Sequence, residues 1–228
     1  MKFKGTIIGE ASGSLASLTF AHNRGGQYIR QRAVPVNSNT TFQQAVRNII
    51  TLLASRWVGT LTQAQRDAWD LYANSVKLPD TLGEPRNAGG LAMYCRSNVP
   101  RLQSASALTR IDTAPSVFDL GEATVPVLVT TTPPTTLSFT FTNTDPWAGE
   151  AGGGLFIYVA GGQNASINYF KGPYRFAKVV LGATTPPTSP VAVVAPIPFA
   201  TGQKLYWQAR ACRADGRLTS AIRGFKTV

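Results

Sequence analysis

Histidine and cysteine are scarce in this chain, which has one His and two Cys among 228 residues. Metal sites need several converging His, Cys, Asp or Glu ligands, and activated nucleophiles need a base close by. The one histidine, His22, has no cluster of metal-ligating residues or potential nucleophiles near it in the sequence. No glycine run has the spacing of a nucleotide-binding motif. We therefore expect no enzyme, no metal and no cofactor.

Acidic residues are missing from a long stretch of the chain. Charged residues are only 14% of the sequence, against about 25% in ordinary soluble domains. From Ala11 to Arg66 there is no Asp or Glu, and the net charge of the whole chain is +11. Such a basic segment favours polyanions or acidic protein surfaces as partners.

Long apolar runs are also missing. No run approaches the roughly 20 residues that a membrane helix needs, so we expect no membrane partner. The start, MKFKGTIIG, lacks the apolar centre of a signal peptide, and Cys95 and Cys212 belong to no CxxC motif. We expect reduced thiols and synthesis in a cytoplasm.

The first part of the chain predicts a β-hairpin. Three strand candidates precede Pro35, at Lys4–Ile8, Leu15–His22 and Gln27–Val34. The turn signal Asn23-Arg24-Gly25-Gly26 separates the second candidate from the third. Strand alternation places Tyr28, Arg30 and Arg32 on one face of the last strand.

Three helices are predicted next. Apolar residues recur at helical spacing from Phe42 to Trp57, and Gly59 ends that helix. The capping box Thr62-Gln-Ala-Gln65 starts a second helix, and the short connection indicates an antiparallel pair. A third, shorter helix is expected at Gly90–Val99, stopped by Pro100. Residues 79–90 are expected to form a loop.

Beyond residue 125 the composition shifts to Val, Thr, Pro and Gly, which favours strands and turns. The strand candidates are Val125–Thr130, Leu137–Thr142, Leu155–Ala160, Phe176–Leu181, Val191–Ala195, Leu205–Cys212 and Leu218–Lys226. Seven short strands separated by turns are typical of an immunoglobulin- or fibronectin-type β-sandwich.

The fold class that follows is α+β, in three parts. Residues 1–103 are predicted to form an anchoring domain made of a β-hairpin and three helices. Residues 104–124 are predicted to be a linker, and residues 125–228 an all-β immunoglobulin-like sandwich.

The basic N-terminal region contains the best interaction candidates in the sequence. They are Arg24, Tyr28, Arg30, Arg32, Arg47 and Arg56. These side chains have three possible roles: contact with an acidic surface of a neighbouring subunit, contact with the phosphates and bases of a nucleic acid, or simple solvation. A further alternative is a carbohydrate- or receptor-binding module on the sandwich, using the loop aromatics Trp147, Tyr169, Phe170 and Tyr174.

Several short runs of the first hundred residues occur together in a known family. They are Gly9, Ser12-Gly13-Ser14-Leu15, Asn23 to Arg30, Val36-Asn37, Thr40-Thr41, Gln44, Val46-Arg47, Leu61 to Trp69, Tyr72-Ala73, Gly90-Leu91, Tyr94 and Asn98-Val99. In this combination the chain resembles a family of proteins encoded by phages and prophages, whose genes appear among the virion-structure genes. The resemblance covers about residues 5–103.

The resemblance implies a context rather than a reaction. It implies a structural protein of a bacterial virus, such as a head decoration, a head–tail connector or a tail-associated subunit. The expected partners are other virion proteins and further copies of this chain in a symmetric particle. The chain would be made in the host cytoplasm and end up in the virion.

Overall fold

The computed structural model describes residues 13–23, 26–34, 36–37, 39–79, 84–104 and 108–228. Contacts divide the chain into a small unit, Met1–Thr41, and a large unit, Phe42–Val228. The predicted boundaries at residues 103 and 125 do not coincide with this division. The reason lies in the predicted linker, which packs with both the helices and the strands of the large unit, as described below.

The described residues of the small unit form an antiparallel sheet with the order β1-β2-β3. Its strands are β1 (Gly13–Leu15), β2 (Leu18–Asn23) and β3 (Gly26–Gln31). Asn23 pairs with Gly26, so the predicted hairpin between β2 and β3 is confirmed. The predicted strand Leu15–His22 is instead broken by a turn, where Ala16 has a φ of 49°. The candidate Lys4–Ile8 lies outside the described residues.

Three helices open the large unit, and the first begins at its boundary. They are α1 (Thr41–Gly59), α2 (Gln63–Ser75) and α3 (Gly90–Gln103). The capping box predicted at the start of α2 is confirmed: Gln65 N donates to Thr62 Oγ1, and Thr62 N donates to Gln65 Oε1 at 2.9 Å. The helices share a core in which the Trp69 ring packs edge-on against Tyr72 and Tyr94.

Helix α3 runs through Pro100, so the prediction that this proline stops the helix is wrong. Proline lacks the N–H of a helical hydrogen bond, and the last turn therefore needs other support. The next residue, Arg101, anchors this end of the helix to the rest of the unit: its side chain is buried and donates to the backbone oxygens of Thr109 and Arg213.

Helices α2 and α3 approach each other closely at Gly90. Gly90 N donates to Asp70 Oδ1 at 2.9 Å. A Cβ at Gly90 would lie 2.3 Å from that same oxygen, so the contact requires glycine. Between the two helices, β4 (Lys77–Pro79) pairs with β5 (Pro85–Asn87), so the prediction of a loop over residues 79–90 is wrong for β5 and for the last residue of β4.

The seven predicted C-terminal strands are all present, with ends shifted by a few residues. They are β6 (Val127–Thr132), β7 (Thr136–Thr140), β8 (Gly154–Val159), β9 (Arg175–Leu181), β10 (Val191–Val194), β11 (Lys204–Cys212) and β12 (Ile222–Thr227). The largest shift is in the last strand, where Leu218 makes only an isolated bridge to Cys212.

These strands form two antiparallel sheets with the orders β10-β7-β6 and β12-β11-β8-β9. The sheets share one apolar core, in which the rings of Phe139 and Trp207 meet edge-on at 5.7 Å. A mixed α+β fold is thus established.

The four-stranded sheet is covered on both faces. In β8, Leu155 and Ile157 point into the core shared by the two sheets, whereas Phe156 belongs to a second cluster on the opposite face, with Leu108 and Cys212. Residues on that outer face are therefore withdrawn from solvent by the helical part of the same unit, which explains why β8 reads Leu-Phe-Ile-Tyr-Val without polar alternation.

The predicted linker is a fixed part of the large unit. Trp69 Nε1 donates to Asp112 O at 3.0 Å, and the Tyr72 hydroxyl donates to Asp119 O at 2.6 Å. From the turn between β11 and β12, Arg217 Nη1 donates to Asp119 Oδ1 at 2.7 Å. Residues 108–124 thus bond both to α2 and to the turn that connects β11 to β12.

Candidate interaction surface

One face of the small sheet is polar and carries two of the predicted interaction residues. Residues paired across an antiparallel register point to the same face. Ser14 pairs with Thr19 and Thr19 with Arg30, and Ala21 pairs with Tyr28. The hydroxyls of Ser14 and Thr19 lie 3.0 Å apart. Tyr28 and Arg30 therefore lie side by side on one polar face.

The opposite face of the same sheet carries its large aliphatic side chains, together with the polar residues His22, Gln27 and Gln31. Leu15 pairs with Leu18, and Phe20 pairs with Ile29. Leu15 is 70% exposed and Leu18 44% exposed, while Phe20 and Ile29 are half-buried. Among the residues of 13–41 whose burial the structure describes, none is fully buried. The sheet is thus amphipathic but contains no closed core within its described part.

The remaining residues of the predicted strip fall in different places. Arg32 follows β3 and is exposed, and its backbone N donates to Ser17 O at 2.7 Å. Arg24 lies outside the described residues. Arg47 lies on an exposed position of α1, in the helical part of the chain.

Arg56 has its acidic partner within the chain. Its Nη2 lies 2.8 Å from Asp112 Oδ2, and Asp112 also accepts from the Tyr94 hydroxyl at 2.8 Å and from Arg110 Nε at 3.1 Å. Burial acts to raise the pKa of the Asp112 carboxyl, but the hydrogen bonds from Tyr94 and Arg56 outweigh it and hold the pKa below its ordinary value. The sequence suggested a partner on another molecule, because Asp112 is remote from Arg56 along the chain.

Other carboxylates of the large unit also hold its parts together. Asp119 pairs with Arg217, and Glu150 pairs with Arg213. The Arg213 hydrogen bond and the backbone N–H of Ala214 lower the pKa of Glu150, against the opposing effect of burial. These pairs span 98 and 63 residues, so no local sequence pattern could have revealed them.

Potential reactive groups are dispersed in the part of the chain that the structure describes. His22 is exposed on β2. In that part, no three or more His, Cys, Asp and Glu side chains converge as they would to hold a metal ion.

None of the helices within the described ranges has the length and apolar character needed to cross a membrane.

The loop aromatics of the carbohydrate-binding alternative are not equally accessible. Trp147 is 1% exposed and belongs to the core between the two sheets. Phe170 stacks on Tyr206 at 5.4 Å and meets Tyr174 edge-on at 5.5 Å. Tyr169 is 74% exposed. A flat platform built from Trp147 is therefore excluded, because its ring faces the protein interior.

No protein-family model, no curated protein and no solved structure matches this chain. The resemblance to phage- and prophage-encoded proteins consequently stays a prediction.

Proposed function

We propose that this chain is a structural protein of a bacteriophage virion that acts through protein–protein contacts and catalyses no reaction. Its position would be that of a head decoration, a head–tail connector or a tail-associated subunit. It would be made in the host cytoplasm and be built into the particle in several symmetric copies.

The observation that carries this proposal is the amphipathic small sheet. A three-stranded sheet gains stability when the apolar side chains of one face are removed from water. Leu15 and Leu18 are exposed on that face, and Val34 and Val36, which follow the sheet, are 77% and 93% exposed. A neighbouring subunit that covers Leu15 and Leu18 would bury both side chains. This contact would attach the chain to the particle.

The polar face of the sheet contributes positive charge, which an acidic surface of another protein would complement. Arg30 and Tyr28 lie together there, in a segment without acidic residues. Arginine and tyrosine are both enriched at protein interfaces. We propose that this face meets an acidic surface of another virion protein.

The strand order supports a fibronectin-type sandwich for residues 125–228. The first, second and fifth strands (β6, β7 and β10) form one sheet, and the other four form the second. In a constant-type immunoglobulin domain the fourth strand joins the first sheet. Here the fourth strand, β9, pairs with the third, β8, which favours the fibronectin alternative. Domains with this architecture are common on viral capsids and tails, and this support is an analogy of fold only.

The test of this proposal is the composition of purified particles. Particles released by cells that carry this gene are purified on a density gradient, and their proteins are quantified by mass spectrometry. We expect this chain at a fixed ratio to the major structural proteins. Its abundance in the lysate together with its absence from the particles would refute the proposal.

Paired variants then test whether the small sheet is the anchor. Leu15→Glu with Leu18→Glu should prevent incorporation into particles, because both side chains lie on the apolar face. Leu71→Glu is the matched control, since Leu71 is also exposed but lies on α2. Equal incorporation of both variants would show that the apolar face is not the anchor.

Nucleic acid remains the alternative partner of the polar face, since Arg30 and Tyr28 lie side by side as a phosphate contact and a stacking ring require. A salt titration of binding to random DNA decides between them. Binding that weakens with added salt and is lost in Arg30→Glu, but not in the control Arg86→Glu on β5, would favour nucleic acid.

A further inference from the structure

A cleft of about 480 Å³ lies within the large unit, between helix α3 and the outer face of the four-stranded sheet. Its volume is within the range of small-molecule sites, about 300–1,000 Å³. Strands β8 and β11 contribute Tyr158, Gln208 and Arg210, and α3 contributes Arg96 and Gln103. In β11 the neighbours Ala209 and Ala211 point into the core, so alternation turns Gln208 and Arg210 toward the cleft.

Two arginines of this cleft have unsatisfied N–H groups. Arg96 Nη2 donates to Thr219 O at 3.0 Å, but Arg96 Nη1 is buried and has no acceptor among the described residues. Arg210 Nε is likewise buried without an acceptor in the described structure. A buried donor without a partner is unfavourable, so both groups would gain from an acceptor in the cleft that a rotation of the arginine side chain brings within reach.

The charge of these two arginines is not compensated locally. Burial lowers the pKa of Arg96 to about 10, with a further contribution from Arg210, and burial also lowers the pKa of Arg210. Both remain positively charged at neutral pH. No carboxylate lines the cleft, and the ion pairs of the described residues involve other arginines.

The neutral polar groups of the cleft also present donors. The Tyr158 hydroxyl donates to Gln103 Oε1 at 3.2 Å, and Arg223 Nε donates to Gln208 Oε1 at 3.3 Å. With their oxygens engaged in this way, both glutamines keep their amide NH₂ groups as donors. The site therefore combines two positive charges with further donors, which suits an oxyanion.

The rest of the wall is apolar. Ile50, Val99 and Pro100 line it, together with Tyr174. A bare inorganic ion would leave these side chains without a partner, whereas an organic anion would contact them. The cleft thus has both a charged and an apolar part, as small-molecule sites do.

We propose that this cleft binds a small organic oxyanion, a carboxylate or a phosphate monoester, whose charged end lies between Arg96 and Arg210. Guanidinium groups bind such planar or multidentate oxyanions through paired hydrogen bonds. The apolar end of the ligand contacts Val99 and Pro100. This site goes beyond the proposed structural role and does not depend on it.

The first experiment is calorimetric titration of the full chain with phenyl phosphate, benzoate and inorganic phosphate. We expect at least one aromatic anion to bind with a Kd below about 1 mM, and inorganic phosphate to bind about tenfold more weakly or not at all. No binding of either aromatic anion would overturn the proposal. Inorganic phosphate binding as tightly as the aromatic anions would also overturn it, because the apolar wall would then have no role.

Variants locate the site. Arg210→Gln removes the charge and should weaken binding of the aromatic anion by about tenfold or more. Arg86→Gln, an exposed arginine outside the cleft, is the matched control and should change binding by less than about twofold. Equal weakening by the two changes would refute a site at Arg210.

A thermal measurement keeps the proposal testable if Arg210→Gln does not fold. Arg210→Leu replaces an uncompensated charge by an apolar side chain, a change that often stabilises a protein. We expect the Tm of the wild-type chain to rise with the concentration of the aromatic anion, and the Tm of Arg210→Leu to stay constant. An equal rise in both proteins would mean that the anion acts elsewhere or through the solvent, and would overturn the proposal.

Discussion

The two units of this protein differ in the interactions that stabilise them. In the large unit, apolar side chains from helices, strands and the segment 108–124 meet in buried clusters, and ion pairs join remote parts of the chain. In the described part of the small unit, backbone pairing is extensive but no residue whose burial is known is fully buried. The large unit is therefore stabilised by its own packing, whereas the described residues of the small unit are held mainly by backbone pairing.

The largest expected effect concerns the core of the helical part. Trp69 is fully buried and its Nε1 donates to Asp112 O. Trp69→Ala should lower the free energy of unfolding by about 3–5 kcal/mol, because it leaves a cavity and an unpaired carbonyl. Urea unfolding monitored by circular dichroism measures this. Leu71→Ala, an exposed position of the same helix, should change it by less than about 0.5 kcal/mol.

A smaller loss is expected where the two helices touch. Gly90→Ala places a Cβ against Asp70, whose backbone N is also only 2.8 Å from the added atom. The helices must move apart, and the expected loss of unfolding free energy is about 1–3 kcal/mol. Gly59→Ala is the control, since a Cβ there meets nothing within 4 Å. A Gly90→Ala protein as stable as Gly59→Ala would show that the close approach is unimportant.

The carboxylate at the centre of the helical part should give a pH-dependent effect. The folded-state pKa of Asp112 lies below its ordinary value of 3.8. Its ionised form therefore stabilises the fold above about pH 4, and this contribution is lost as the pH falls through the folded-state pKa. Asp112→Asn should cost about 1–3 kcal/mol at pH 7, and the cost should decrease as the pH falls to 3.

Unfolding curves of the wild-type protein and Asp112→Asn at both pH values measure that difference. Asp67→Asn serves as the control, because Asp67 is exposed on α2 and accepts a hydrogen bond from Gln63 of the same helix. A constant gap between wild type and Asp112→Asn from pH 7 to pH 3 would contradict the role assigned to Asp112.

The smallest effect is expected in the small unit. Leu18→Ala on the hairpin should change the unfolding of the large unit by less than about 0.5 kcal/mol. Tryptophan fluorescence measures this, because all four tryptophans lie beyond residue 42. Leu137→Ala, at a buried leucine of β7, should cost about 2–5 kcal/mol in the same assay. Similar losses for the two variants would remove the contrast between the units.

Local signals in the sequence predicted local structure well. The capping box at Thr62 and the stop at Gly59 are both found, and so are seven strands between residues 127 and 227. Each depends on side chains close together in sequence, which is why pattern and propensity were sufficient.

Features that depend on distant residues were missed. Arg101, just past Pro100 in helix α3, bonds to Arg213, and Arg56 pairs with Asp112. The cleft between Arg96 and Arg210 was not predicted from the sequence for the same reason, because α3 and β11 are far apart along the chain. Sequence alternation alone assigns an arginine on the outer side of a strand to solvent, because it does not show which other element covers that side.

The predicted basic strip is found only in part, with Tyr28 and Arg30 together on one face of the small sheet.

The bond from Arg101 to Arg213 has a consequence for biosynthesis. Ribosomes add about 5–20 residues per second, so the 112 residues between the two partners take roughly 6–22 seconds to appear. Until then the Arg101 side chain has only its nearer acceptor, Thr109 O, because Arg213 has not yet been synthesised. A chain that ends before residue 213 would therefore contain α1, α2 and α3 but lack one of the two backbone acceptors of this buried arginine.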